Sequence, residues 1–124
     1  MLPLAPVVAP PRSRSPESQA EFQADPLNRT GLTRASEAMD YLRSVEGFMA
    51  PGGPADTVEA PCLLLHSRHD YQVEADGTFA ASSRLPNRDN KLVVLESDTH
   101  DLVHDPEVKD TVQEHVVRWV KEHA

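Results

Sequence analysis

A single cysteine, Cys62, is all the thiol this 124-residue chain holds, so no internal disulfide framework can staple it. Aromatic residues make up 5% of the chain and apolar residues 39%, lean material for a domain that must build its own core. No apolar run approaches the ~20 residues of a membrane span. Basic side chains are outnumbered, 12 Lys and Arg against 20 Asp and Glu, and the net charge is -8. Such a chain repels phosphate backbones, which argues against nucleic acid as a partner, and nothing draws it to an anionic membrane surface. Met1 to Ala9 is mildly apolar, but Pro3 and Pro6 break it and no basic stretch precedes it, which makes a poor secretory leader. The compartment is therefore unknown, with the cytoplasm favoured, and Asn28-Arg29-Thr30 reads as a chance match to a glycosylation acceptor.

Proline is abundant instead: eleven residues, six of them before residue 27. Residues 1–26 are accordingly expected to be irregular, because proline removes backbone donors and fixes φ. Residues 33–49 read as an amphipathic helix. Ala35, Ala38, Met39, Leu42, Val45 and Met49 recur at three- and four-residue steps, Thr33 or Ser36 is the candidate cap, and Pro51-Gly52-Gly53-Pro54 ends the run.

The pattern changes at Pro61. Cys62 to Leu65 and Leu92 to Leu95 are short continuous apolar runs, the mark of strands covered on both faces in a parallel sheet. Val73 to Leu85 has room for a helix between them, so the order is that of a strand-helix-strand crossover with parallel strands. Asp105-Pro106-Glu107 is expected to open a last helix, with Asp105 as its cap and Pro106 in its first turn. That helix carries an apolar stripe of Val108, Thr111, Val112, His115, Val116, Trp119 and Val120, with His115 packed inward and Trp119 as its anchor. Three segments follow: an irregular Pro-rich 1–26, a connecting 27–56, and an α/β portion over 57–124.

Asp70 and His100 each lie in the loop just past one apolar run. Parallel strands release such loops at one edge of the sheet, where α/β proteins place their chemistry. A carboxylate that reaches the Nδ1–H of an imidazole holds the ring in one tautomer and stabilises its protonated form, while the ring serves as general base and then general acid. Aspartate and then histidine, in that order, are two members of a hydrolase triad whose third is a serine in a G-x-S-x-G turn. That turn is absent: Ser13, Ser15, Ser18, Ser36, Ser44, Ser67, Ser82, Ser83 and Ser97 all lack the flanking glycines. The plain alternative, ordinary charged loop residues, stays open on spacing alone. His66-x-x-His69 and His100-x-x-x-His104 also suggest a metal site with Asp70, but zinc needs three or four ligands in a tetrahedral array, and no metal is assigned. Asp98 is a second carboxylate near His100 or a solvated loop charge. Leu102 and Val103 line an acyl pocket or fill the top of the core. Cys62 reads as a small apolar strand residue.

From Val58 onward the chain resembles the final portion of an α/β-hydrolase of the monoacylglycerol lipase or serine-aminopeptidase-like group. The likeness rests on Ala60-Pro61-Cys62-Leu63-Leu64-Leu65-His66, then Asp70 and Val73, then Lys91-Leu92-Val93-Val94-Leu95, Thr99-His100-Asp101-Leu102 and Asp105-Pro106-Glu107. Asp25-Pro26-Leu27 with Gly31 is similar to the family's cap segment, so the likeness extends over most of residues 14–123. It implies an α/β fold, the C-terminal fragment of an α/β-hydrolase with parallel strands, a crossover helix and part of the cap. It also implies Asp70 as the triad acid and His100 as the base. Ser67 stands where the family usually has glycine, and the upstream His-Gly loop that helps to form an oxyanion hole is missing along with the serine turn.

Two functions follow as expectations. One is an ester hydrolase of the serine type acting on small acyl esters such as monoacylglycerols, truncated and lacking its nucleophile, with no cofactor. The other is a non-catalytic remnant or interaction module of the same fold, able to associate through an unpaired sheet edge.

Overall fold

The computed structural model describes residues 11–28 and 35–124. Met1 to Ala9, Gly31, the Asn28-Arg29-Thr30 acceptor beyond Asn28, and the candidate cap Thr33 lie outside them. Among the described residues seven elements follow in order: α1 (Pro16–Ala24), α2 (Ala35–Met49), α3 (Pro54–Thr57), β1 (Leu63–Ser67), α4 (Ala75–Arg84), β2 (Lys91–Leu95) and α5 (Lys109–His123).

β1 and β2 are parallel, in register from Leu63 opposite Lys91 to Ser67 opposite Leu95. The ladder runs on past both ends. The Lys91 N–H donates to the Cys62 carbonyl (2.9 Å), Arg68 N–H to Leu95 (2.8 Å) and His69 N–H to Ser97 (3.0 Å). Because Ser67 is level with Leu95, the two following loops leave the sheet side by side, at the ~5 Å spacing of paired strands. α4 forms the crossover and packs against both strands, while α5 packs against β1.

The covering of the strands differs from the sequence expectation. Leu63 to His66 and Lys91 to Val94 are half-buried, and only Ser67 and Leu95 are fully enclosed. Two strands have few neighbours to cover them, so continuous apolarity here does not bring continuous burial. Cys62 sits just ahead of β1, half-buried, with its thiol donating to the Ala60 carbonyl (3.3 Å). Among the described residues the fully buried apolar set is small: Ala55, Ala75, Leu95 and Val112.

The Pro-rich segment is not irregular throughout. Pro16–Ala24 is helical, with Ser15 as its N-cap, the Ser15 hydroxyl accepting from Ser18 N–H (3.4 Å) and proline in its first turn. Proline costs nothing at a helix start, where its missing N–H would be unpaired anyway. Pro16 and Pro26 therefore bracket a helix of nine residues rather than forbidding one.

α2 occupies the segment expected of it, with Ser36 inside the helix rather than capping it. Its apolar face is largely uncovered: Met39, Leu42, Val45 and Phe48 are exposed. Gly52, at φ 74°, turns the chain after it, a conformation that glycine adopts without a Cβ penalty. A Cβ at Gly53 would come within 2.9 Å of the Ala50 carbonyl oxygen. Arg84, at the end of α4, ties this corner to the sheet. Its guanidinium holds both carboxylate oxygens of Asp56 (2.8 and 2.7 Å) and donates to the carbonyls of Ala50 (3.1 Å) and Met49.

The last helix starts later than Asp105. Asp105 caps the turn that leads into it instead: its Oδ1 accepts from Glu107 N–H (3.0 Å), and its carbonyl accepts from Val108 and Lys109 N–H (3.2 and 2.9 Å). Of the stripe on α5, Val112 is fully buried, His115 and Trp119 are half-buried, and Val116 and Val120 are exposed. The His115 Nδ1 is enclosed without a partner, and Trp119 stacks on His123 with ring centroids 3.7 Å apart.

Candidate active site

The loops that leave β1 and β2 bring Asp70 and His100 together. His100 Nδ1 lies 2.8 Å from Asp70 Oδ2. The Asp70 side chain is 4% exposed and the His100 side chain 34%, so the pair has a closed end at the carboxylate and an open end at the ring. The other Asp70 oxygen, Oδ1, accepts from the N–H groups of Gln72 (2.8 Å) and Val73 (3.0 Å). This local turn, in which an aspartate side chain bonds the backbone two and three residues on, fixes where the carboxylate points. Burial pushes the Asp70 carboxyl upward, but the hydrogen bonds from His100, Val73 and Gln72 outweigh it and hold the group below the usual carboxylate value. An ionised carboxylate only accepts, so the proton between them sits on Nδ1. That leaves Nε2 as the acceptor, and no described residue bonds it.

His66 stands on the other side of Asp70, its Nε2 3.7 Å from Oδ2. It is spoken for by neutral partners: Nε2 is 3.0 Å from the Val73 carbonyl and Nδ1 is 2.8 Å from the Thr78 hydroxyl. A carbonyl can only accept, so Nε2 carries the hydrogen and Nδ1 takes the one from Thr78. His66 thus pins the Val73 end of the Asp70 loop to α4. Ser67 is buried next to it with its hydroxyl unpartnered.

The other sequence candidates fall elsewhere. Asp98 pairs with Arg14 (2.7 Å) rather than with His100. His69 is exposed, 3.9 Å from Glu96, and His104 is exposed and bonds Asp101 (2.9 Å). Among the described residues no group of three or more His, Cys, Asp or Glu side chains is placed to hold a metal ion. Val103 lines a cavity of about 420 Å³ with Val112 and Val116, and neither Asp70 nor His100 borders it.

What sequence reasoning missed is the segment Pro11 to Ser18. The Pro11 carbonyl accepts from the Gln72 side-chain amide (3.0 Å) and the Tyr71 hydroxyl. The Arg12 carbonyl accepts from the N–H groups of His100 and Asp101 (3.0 Å each) and from the Thr99 hydroxyl (3.4 Å). The Ser13 hydroxyl donates to Asp105 Oδ2, and the Ser18 hydroxyl donates to the His104 carbonyl (3.0 Å). Ser13, Thr99 and Asp105 are all buried. The only signal in the sequence was the density of serine and arginine among the prolines, Arg12-Ser13-Arg14-Ser15, which is unusual for a segment that does nothing but connect.

The likenesses of the chain fit this geometry. The family model described as serine aminopeptidase, S33, matches residues 3–107. No curated protein matches. Among solved structures, the chain is similar to the monoacylglycerol lipase of Paleococcus ferrophilus, with a TM-score of 0.73 and 21% identity over 92% of this chain. At that identity the likeness shows the fold, and the chain spans 43% of the lipase's length. The parallel strands with their crossover helix are therefore a portion of an α/β-hydrolase, and the chain belongs to the serine aminopeptidase S33 family.

Proposed function

We propose that this chain is the acid–base portion of a serine ester hydrolase, with Asp70 as the triad acid and His100 as the general base. The observation that carries the reading is the 2.8 Å bond between His100 Nδ1 and the enclosed Asp70 carboxylate, with Nε2 left free. Nε2 takes the proton from an attacking serine hydroxyl while Asp70 stabilises the imidazolium that results. The ring then returns that proton to the leaving alcohol and repeats the exchange with water to release the acid. General acid–base work of this kind is worth ~10²–10⁴ in rate. The substrate class is a small acyl ester such as a monoacylglycerol, by analogy with the Paleococcus ferrophilus lipase that shares the fold.

The serine must come from residues other than those in this sequence, because no G-x-S-x-G turn is present. Without a triad serine kcat falls by ~10⁶ in a well-studied hydrolase, so the chain alone is expected to be inert. A second reading, a non-catalytic interaction module, draws support from the exposed face of α2 and from a two-stranded sheet, which is marginal in isolation.

A chimera tests the first reading. Residues 11–124 replace the corresponding portion of the Paleococcus ferrophilus lipase, and hydrolysis of a p-nitrophenyl ester is followed. Activity that falls by ~10⁴ or more in His100→Ala and Asp70→Asn supports the assignment. Activity indifferent to His100 sinks it. The chain by itself should not react with a fluorophosphonate probe. The DNA that precedes the Met1 codon offers a cheaper check, since an encoded G-x-S-x-G behind an apolar strand favours the hydrolase over the interaction module.

A further inference from the structure

We propose that the segment Pro11–Ser18 is a clamp that sets the Asp70–His100 distance, with Ser13 as its positioning residue. The proposal rests on the reading of Asp70 and His100 as an acid–base pair and adds to it the part that holds the pair together. Two consecutive carbonyls do the holding. Pro11 binds the loop that carries Asp70, through Tyr71 and Gln72, and Arg12 binds the loop that carries His100, through Thr99, His100 and Asp101. Adjacent residues are separated by one peptide, with Cα atoms ~3.8 Å apart. The two loops are thereby locked to each other at the scale of the hydrogen bond they must form.

The sheet alone does not supply this. The backbone ladder between the strands ends at His69 and Ser97. Beyond that point the two loops are joined directly by Glu96, which pairs with Arg68 and lies 3.9 Å from His69 next to the ladder, and by the Asp70–His100 bond itself. The clamp is in turn anchored at a third point. Ser13 donates to Asp105 Oδ2 in a buried setting and receives the Ser15 N–H (2.9 Å), while its own carbonyl receives the Gln19 side chain (3.0 Å). Deleting the Ser13 hydroxyl leaves a buried carboxylate oxygen short of a donor and frees the clamp at the end nearest His100. A base must lie within hydrogen-bond reach of its orienting group, and a displacement of ~1 Å from a distant change can cost ~10²-fold in rate.

The test reads the pair without needing turnover. An imidazole Nδ1–H donated to a carboxylate gives a far-downfield proton resonance, which is recorded on the full chain and assigned by its loss in His100→Ala and Asp70→Asn. In Ser13→Ala that resonance should disappear while the backbone amides of Lys91, Arg68 and His69, which report the β-ladder, stay in place. Ser13→Thr, which keeps the hydroxyl, should restore it. If Ser13→Ala loses the ladder amides as well, Tyr71→Phe decides: it removes one hydroxyl from the Pro11 carbonyl and should broaden the same resonance. A folded Ser13→Ala with an unchanged resonance overturns the clamp and leaves the acid–base reading standing. A wild-type chain with no resonance that depends on both His100 and Asp70 overturns the pair, and the clamp with it.

Discussion

Ser13 and Asp105 stand 92 positions apart in the chain and meet through a buried hydrogen bond from the serine hydroxyl to Oδ2. The same carboxylate caps the turn before α5 through the Glu107 N–H. One side chain therefore closes the chain on itself and caps the turn that leads into its last helix.

The contact makes stability sensitive to acid. Burial raises the Asp105 carboxyl, but hydrogen bonds, those from Ser13 and Glu107 foremost, more than offset it, and the group is held below its ordinary value. Asp70 is depressed in the same way. A carboxylate with a lowered folded-state pKa contributes stability that is fully present above its unfolded value of ~3.9 and is lost as pH falls through the folded value. Thermal unfolding should therefore be nearly flat in this respect down to about pH 5 and fall below about pH 4. Asp105→Asn should be less stable than the wild type at pH 7 and should show a shallower acid decline. An identical acid slope in the two proteins would mean that the Asp105 contact does not couple to folding.

Ser67 offers a gain. Its hydroxyl is buried at the end of β1 and has no partner. An unsatisfied buried polar group costs ~1–3 kcal/mol, and removing it where the space is kept recovers part of that. Ser67→Ala should raise the unfolding free energy by about 1 kcal/mol in urea titration. A variant less stable than the wild type would show that the hydroxyl has a partner, such as a trapped water.

Arg84 is the joint between the helical corner and the sheet. It grips Asp56 with two nitrogens and reaches the carbonyls that end α2. Arg84→Lys keeps the charge but not the planar fork, so it should not substitute for the bidentate contact. In both Arg84→Lys and Arg84→Ala, limited proteolysis should cut sooner within residues 50–60 than in the wild type. Equal cleavage rates in all three proteins would assign the docking of this corner to apolar contact alone.

Val112 and Val120 separate the two sides of α5. Val112 is 3% exposed and Val120 is 56% exposed. Val112→Ala should cost about 2 kcal/mol through lost burial and a residual cavity, whereas Val120→Ala should stay within about 0.5 kcal/mol. Equal effects in thermal or urea unfolding would mean that the outer side of the helix is covered in solution.

From residue 61 onward the order of elements and the meeting of Asp70 with His100 were legible in the chain. Two apolar runs of strand length, separated by enough residues for a crossover, leave little choice but a parallel pair, and a residue just past each strand must then emerge at one edge. These are local facts of hydrophobic pattern and spacing. The same pattern misled on burial, because Leu63 to Leu65 and the α2 face are apolar enough to be covered but too few described elements reach them. It also misplaced the start of α5, where Asp105 and Pro106 carry every mark of a helix opening but build the turn before it.

The segment Pro11–Ser18 was beyond the reach of pattern altogether. Its hold on the two loops runs largely through the carbonyls of Pro11 and Arg12, and every residue type carries a carbonyl, so no letter in the sequence announces one that matters. Composition and period determined which residues could form strands and helices and which two would face each other across them. Only the folded chain decided which backbone oxygens lie against those loops, because that choice depends on contacts between residues some 60 to 90 positions apart, where no local preference operates.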